Sequence, residues 1–363
     1  MARTFSRALI SFVLATFALT ASHSASAAQE ETKNKTEFKV AWSIYVGWMP
    51  WDYAAQSGIL KKWADKYGIK IELTQINDYV ESINQYTAGQ YDACVMTNMD
   101  ALTIPAAGGV DSTALIVGDY SNGNDGIVLK GAGKKLADIK GQNVNLVELS
   151  VSHYLLARAL DTVGLAERDI KVVNTSDADM VGAFAASSVT SVVTWKPLLS
   201  EITAVPKTTL VFDSTKTPGE ILDLMIVNSE VLKANPKLGK ALAGAWYETM
   251  ALMQGKDAKS TAALESMAKA SGTDLAGFKG QLATTYIYWT PAAAVAATTS
   301  PDLVKKMDLV RKFSFDHGLL GEGAKSVDVV GIAFPGGVTL GDKSNIKLRF
   351  DPTYMKLAAD GQL

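Results

Sequence analysis

The chain predicts an α/β fold of two lobes, joined by a two-strand hinge, with a ligand cleft between them. Two observations carry that expectation. From Gln142 to Leu199 the pattern runs strand, helix, strand, helix, strand, which is the signature of a parallel sheet covered by helices. The same order appears earlier, from Phe38 to Asn98, with little identity between the copies. Two α/β units of like topology place a ligand off the carboxyl ends of their strands.

Residues 1–28 read as a cleavable secretory signal peptide. Arg3 and Arg7 precede an apolar run from Ala8 to Ala21, and Ala25-Ser26-Ala27 has the small-x-small form of a cleavage site. No cysteine follows the run, so a lipoprotein anchor is not expected, and the mature protein is expected in the periplasm. Glu30 to Glu37 is charged and aperiodic and reads as a tail. The first part of lobe 1 then spans 29–127, lobe 2 spans 128–222, and 223–363 returns to lobe 1 with C-terminal helices and a tail.

In lobe 1 the predicted strands are Phe38–Ile44, Lys70–Ile76, Ala93–Met96 and Ser112–Val117, with helices over Trp51–Tyr67, Asp78–Ala88 and Ala101–Ala107. The first strand runs into Tyr45-Val46-Gly47-Trp48-Met49-Pro50-Trp51, whose tyrosine and two tryptophans suit a ligand-facing wall. Trp51 and Tyr53 can equally pack their helix onto the sheet. Asp78, with Glu81 three residues on, has the form of a capping box, and Asp100 also stands at a helix start. The segment Tyr120-Ser121-Asn122-Gly123-Asn124-Asp125-Gly126 is a dense polar turn suited to a hinge, and Asp125 lies at that crossing. In lobe 2 the strand ends carry Glu148-Leu149-Ser150, Thr175-Ser176-Asp177-Ala178-Asp179 and Thr194-Trp195-Lys196-Pro197. The return crossing is Gly219 to Asp223, followed by a strand at Leu224–Val227. Ser229 to His317 is predicted mostly helical, with Trp246 and Tyr247 as packing residues. Beyond Pro335-Gly336-Gly337 the chain is expected as an extended tail.

Composition narrows the function. The formal net charge is −2, which does not suit a dedicated nucleic-acid binder. One cysteine, Cys94, lies inside a predicted strand, and three histidines are scattered, so neither a disulfide nor a Cys/His metal site is expected. No Walker loop, GxGxxG, GxSxG or HExxH occurs, and no cofactor is expected. Ser152 and His153 are adjacent on a helix and do not face each other as a nucleophilic dyad must, so an enzyme is not expected.

What recurs at strand ends is a carboxylate or an indole: Trp48, Asp78, Asp100, Asp125, Glu148, Asp177, Asp179, Trp195 and Asp223. Helix N-termini attract anions by default, and carboxylates placed there offset that preference. Acids facing tryptophans suit a small planar cation, since carboxylates accept its N–H groups and aromatic faces attract its charge. Some of these acids are expected to be helix caps only.

Several runs carry a family resemblance. Ser152 to Leu160 (SHYLLARAL), Thr194-Trp195-Lys196-Pro197 and Ala106-Ala107-Gly108-Gly109 resemble nitrate/sulfonate/taurine-type solute-binding proteins of ABC importers. Trp51-Asp52-Tyr53-Ala54, Gln75 to Tyr86, Thr97 to Leu102, Ser121 to Gly126, Asn145 to Ser150 and Phe334 to Gly337 look closer to the urea-carboxylase-associated branch of that family. The resemblance implies a type II periplasmic-binding-protein fold, closure of two lobes on solute, and delivery to a permease with ATPase subunits. It points to guanidine, with urea or a small amide as alternative, and taurine, sulfonate or nitrate as in the wider family. The ligand-binding residues expected are Trp48, Asp78, Asp100, Asp125, Glu148, Ser152, Trp195 and Asp223, with no metal. A pyrimidine-precursor synthase of thiamine metabolism shares such lobes but requires a cysteine-rich motif, which is absent.

Overall fold

A computed structural model describes residues 34–321 and 323–363. The signal-peptide expectation for 1–28 lies outside them. Among the described residues no helix is long and apolar enough to cross a membrane.

The first unit forms as its periodicity dictates. Strands β1 (Glu37–Trp42), β2 (Lys70–Gln75) and β3 (Ala93–Thr97) pair in parallel in the order β2-β1-β3. Between them lie α1 (Met49–Gln56), α2 (Ile59–Lys66) and α3 (Tyr79–Thr87). The single helix expected over Trp51–Tyr67 is two. Gly58 stands between them at φ +81°, a conformation that breaks the helix and that L side chains rarely adopt. Pro50 sits in the first turn of α1, where its missing N–H is not needed. A short helix α4 (Asn98–Ala101) follows β3 and continues into a wider turn at Leu102–Ala106.

Strand β4 (Ser112–Ser121) is longer than its apolar run, and after Asn122-Gly123-Asn124 the chain enters a second sheet. That sheet holds β5 (Asp125–Lys130), β6 (Asn143–Leu146), β7 (Lys171–Asn174), β8 (Ser191–Trp195) and β9 (Thr208–Asp213), in the order β7-β6-β8-β5-β9. Helices α5 (Val151–Thr162), α6 (Asp177–Ala185) and α7 (Leu198–Thr203) cover it, and apolar clusters fill both faces. Sequence reading missed β9, whose Thr- and Asp-bounded run is half exposed.

The chain returns through Ser214–Ile221 to β10 (Leu222–Asn228), which lies antiparallel between β3 and β4. The two sheets are built alike: β2-β1-β3-β10 matches β7-β6-β8-β5, with the fourth strand antiparallel in each. The expected lobe limits at 127/128 and 222/223 fall inside β5 and β10. The crossings themselves are the polar turns just before those strands, because each strand begins as soon as a ladder partner is within reach.

Beyond Asn228 the chain is helical: α8 (Ser229–Ala234), α9 (Pro236–Gln254), α10 (Ala258–Ala270), α11 (Leu275–Leu282), α12 (Pro291–Thr298) and α13 (Pro301–Asp316). Strand β11 (Thr285–Ile287) interrupts the run and pairs with the end of β4. Residues after Pro335 are not a tail. Strands β12 (Gly331–Ala333), β13 (Thr339–Leu340) and β14 (Ile346–Phe350) extend the first sheet, and α14 (Thr353–Ala359) buries Tyr354 and Met355. Strand β14 pairs in parallel with β4, so the free edge of β4 decides its conformation.

Helix α13 ties the two sheets together. Met307 is buried in the core of the large sheet, whereas Val310 joins the small-sheet cluster and Phe313 meets Tyr154 edge-on at 4.8 Å. At its end one oxygen of Glu167 lies 2.9 Å from the Nε2 atoms of both His153 and His317. His153 Nδ1 accepts from the Leu149 N–H, so its proton sits on Nε2. His317 Nδ1 faces the Phe313 carbonyl at 2.9 Å and its Nε2 faces the carboxylate. Both nitrogens meet acceptors, so the imidazolium is favoured and the His317 pKa is raised, first by Glu167. A raised histidine pKa stabilises the fold fully below the unfolded value, and that stability is lost as pH rises through the folded value. His317→Gln is therefore expected to lower stability by about 1 kcal/mol at pH 6 and by clearly less at pH 8.5. Urea denaturation at the two pH values checks this, and equal losses would refute it.

Candidate functional site

The cleft opens where the strand ends of the two sheets meet. It is a small cavity lined by Tyr45, Trp48, Tyr79, Thr97, Asp125, Val151, Trp195, Ile221 and Asp223. No Lys, Arg or His is among them. Four rings form its wall: Tyr45 and Trp48 at 5.0 Å, Trp48 and Tyr79 at 5.6 Å, and Tyr79 and Trp195 at 5.6 Å.

Register explains the acids. Asp223 lies opposite Thr97 of β3 on one side and Asp119 of β4 on the other, while Asp125 of β5 lies opposite Trp195. All three carboxyls are buried, with Asp119 at 1 %, Asp125 at 3 % and Asp223 at 4 % exposure. Like charges on opposed strand positions repel. Here antiparallel pairing sets the Asp119 and Asp223 side chains on one face of the sheet, both buried, so each opposes ionisation of the other. Tyr45 donates to Asp119 Oδ1 at 3.1 Å. Burial pushes Asp119 up to about 7, and Asp223 well above the usual carboxylate range, with the Asp119 charge adding to the latter. Asp125 is likewise pushed up to about 7 by burial, against the lowering effect of the Ser121 hydroxyl. Gly47 is needed beside this pair, because a Cβ there would lie 2.7 Å from Asp119 Oδ2 and 2.4 Å from the Tyr45 ring.

Asp100 stands behind the wall rather than in it. Its Oδ2 accepts from the Tyr79 hydroxyl at 2.6 Å and from Thr97 Oγ1 at 2.8 Å, fixing the Tyr79 ring, and burial raises it to about 6. Ser152 is buried beside the lining residue Val151, and its hydroxyl has no protein partner. Two expected ligand contacts are corrected. Asp78 does not line the cleft, since its carboxylate caps α3 by accepting from the Glu81 N–H at 2.9 Å. Glu148 is exposed, because β6 ends at Leu146 and a left-handed Leu149 (φ +63°) turns that loop outward. Glu148→Gln should leave binding unchanged. Trp51 stacks on Trp246 at 5.0 Å, so it packs its helix rather than facing ligand.

Of the predicted residues, the structure brings Trp48, Asp125, Trp195 and Asp223 together in the lining. Sequence reading missed Asp119, Tyr79 and Thr97. Asp119 follows Gly118 at the end of an apolar run, and only pairing with β10 shows its role. Asp177, on the other sheet, is no lining residue. Its Oδ1 accepts from the Tyr79 N–H at 3.0 Å across the cleft, while Asp179 is exposed. Two further bonds bridge the sheets there: Trp195 Nε1 to the Ile44 carbonyl at 3.4 Å, and the Val46 N–H to the Lys196 carbonyl at 3.4 Å. Asp177→Ala removes the shortest of these clasps. It is expected to raise the dissociation rate of bound ligand about tenfold with the association rate little changed, as stopped-flow fluorescence of the cleft tryptophans would read.

The site has no nucleophile–base pair. The Ser152 hydroxyl is unbonded, and the His153 ring is occupied by Leu149 and Glu167. Among the described residues no group of His, Cys, Asp and Glu could hold a metal ion. Cys94 is buried in β3, with its thiol pushed up to about 12 by burial, and is a core residue.

Two like-built α/β sheets with a cleft at their shared strand ends define a two-lobed binding-protein fold. The chain belongs to the NMT1-like family, matched over residues 37–268. It is 27% identical over 145 residues to a candidate binding protein of Brucella abortus (strain 2308), a match covering 39% of this chain and 44% of that one. The match thus spans under half the length of that relative. Among solved structures, the alkanesulfonate-binding protein of Xanthomonas axonopodis pv. citri bound to MOPS shares the fold, with a TM-score of 0.64 and 19% identity over 79% of this chain and 95% of that one. The periplasmic nitrate-binding protein of Synechocystis PCC 6803 is similar at a TM-score of 0.55 and 14% identity, over 91% of this chain and 99% of that one.

Proposed function

We propose that this protein is the periplasmic substrate-binding component of an ABC importer, and that it captures guanidinium between its lobes. It binds its solute without turnover and presents it to a membrane permease with ATPase subunits. The family and the shared fold support the receptor role. The observation that carries the ligand is the lining itself: buried carboxyls and four aromatic rings, with no basic side chain. Asp223 and Asp125 accept the N–H groups of a planar cation, and the rings of Trp48, Tyr79 and Trp195 wall its faces. A cation held against such faces gains roughly 0.5–2 kcal/mol per ring, more when desolvated. A sulfonate or nitrate would meet no positive charge there, and two buried carboxyls instead. Closure around solute requires that the closed form bind it more tightly than the open one.

One observation favours a second reading, urea or a small amide. Trp48 Nε1 is buried in the lining without an acceptor, and guanidinium offers none, whereas a carbonyl oxygen would satisfy it. Calorimetry with guanidinium, urea, taurine and nitrate at pH 8.5 decides. Guanidinium is expected to bind most tightly. Binding of taurine or nitrate with no guanidinium signal would overturn the cation reading.

A further inference from the structure

The cleft holds more acid than a single positive charge calls for. Asp119 of β4, Asp223 of β10 and Asp125 of β5 are buried around it, Asp100 lies just behind, and Tyr45 and Thr285 flank the pair from the β1 loop and β11. None of these groups is basic. Only Asp223 and Asp125 of the four acids line the cavity, whereas Asp119 is packed behind Asp223, between the Tyr45 hydroxyl and Gly47. Asp119 is therefore placed to act on the ligand through Asp223, as a positioning residue.

Resting on the cation reading above, we propose that the Asp119–Asp223 pair reads the charge of the ligand. It holds one proton between its carboxyls in the empty cleft, and an incoming guanidinium displaces that proton to solvent, whereas a neutral amide leaves it in place. Two carboxyls on directly opposed strand positions of a buried site do not both ionise unless positive charge arrives. A proton supplies that charge when the cleft is empty, and guanidinium supplies it when the cleft is filled. The exchange balances: protein-H and cation give the protein–cation complex and one proton in water. The raised pKa values of both groups agree with a proton held at neutral pH. Urea brings no charge, so its binding gains nothing from ionising the pair. Discrimination between two planar ligands of nearly one shape then comes from the pair and grows with pH.

The test is calorimetry of guanidinium and urea on the full protein at pH 6, in two buffers of different ionisation heat, with affinities followed from pH 5.5 to 8.5. Guanidinium is expected to release at least one proton, with affinity rising about tenfold per proton per pH unit before levelling off, and urea to release none. Asp119→Asn puts a permanent N–H donor beside Asp223, so its guanidinium release should fall by one proton. In the wild-type protein, an infrared difference spectrum should lose a protonated-carboxyl stretch on adding guanidinium but not urea, a readout that needs no variant. Guanidinium binding with no proton release, or an unchanged release in Asp119→Asn, overturns this inference and leaves the cation reading standing. No guanidinium binding at any pH removes both.

Discussion

Asp223→Asn is expected to weaken guanidinium binding at pH 8.5 by about a hundredfold or more while making the ligand-free protein more stable. Removing one partner of a buried, hydrogen-bonded charge pair costs about 2–5 kcal/mol of binding. Asp223 is the one carboxyl that both lines the cleft and belongs to the opposed Asp119–Asp223 pair, so no neighbour replaces it. In the empty protein the same carboxyl is a burden, because burial and the Asp119 and Asp125 charges all oppose its ionisation. Asparagine keeps its shape and a hydrogen bond to Asp119 without the charge. A gain in Tm together with a loss of binding is the pattern of a residue kept for function at the expense of stability. Calorimetry and thermal unfolding of the variant check both halves. An affinity within threefold of the parent would remove Asp223 from the site.

The second large effect is on stability against pH. Asp119 and Asp125 are raised to about 7, and Asp100 and Asp177 to about 6, in each case chiefly by burial. The unfolded chain titrates these groups near 4. Between those values the folded state binds more protons than the unfolded one, so stability falls as pH rises. The penalty is absent below the unfolded value and complete above the folded one. A single carboxyl moved from about 4 to about 7 accounts for roughly 4 kcal/mol by itself. The ligand-free protein is thus expected to melt at least about 5 °C lower at pH 8 than at pH 5. Guanidinium at a hundred times its pH 8 dissociation constant should return about 2.7 kcal/mol at pH 8 and, at the same concentration, far less at pH 5, where the carboxyls keep their protons. Thermal unfolding with and without ligand at both pH values tests this, and an equal shift at both would refute it.

Much of the site was legible because local rules place it. A parallel strand followed by a helix puts turn residues at the strand's carboxyl end, which marked Trp48 and Trp195, and the polar crossings between lobes marked Asp125 and Asp223 at the starts of β5 and β10. The same rules overreached at Asp78 and Glu148. A carboxylate at a helix start has two uses, and the Asp78 capping geometry shows which one applies. Glu148 stands one residue before Leu149, where the left-handed backbone turns the loop outward. Asp119 was hidden because the predicted strand stopped at Val117, whereas β4 runs on to Ser121 and carries Asp119 into the ladder with β10. Strand β14, with Lys347 and Arg349 alternating against Ile346, Leu348 and Phe350, was read as tail because such a short run has no reason to be straight until β4 offers it a partner.

Sequence alone determined the doubled α/β pattern, the polar crossings near Asn122 and Gly219, and the recurrence of acids and indoles at strand ends. These are properties of neighbouring residues: apolar period, turn composition and cap chemistry act over a few positions along the chain. The tertiary structure decided which acids meet. Asp119 and Asp223 are over a hundred residues apart, and they meet because antiparallel pairing of β4 with β10 sets them opposite each other. Burial then raises their pKa values, and burial is a property of the packed chain that no local run of residues contains.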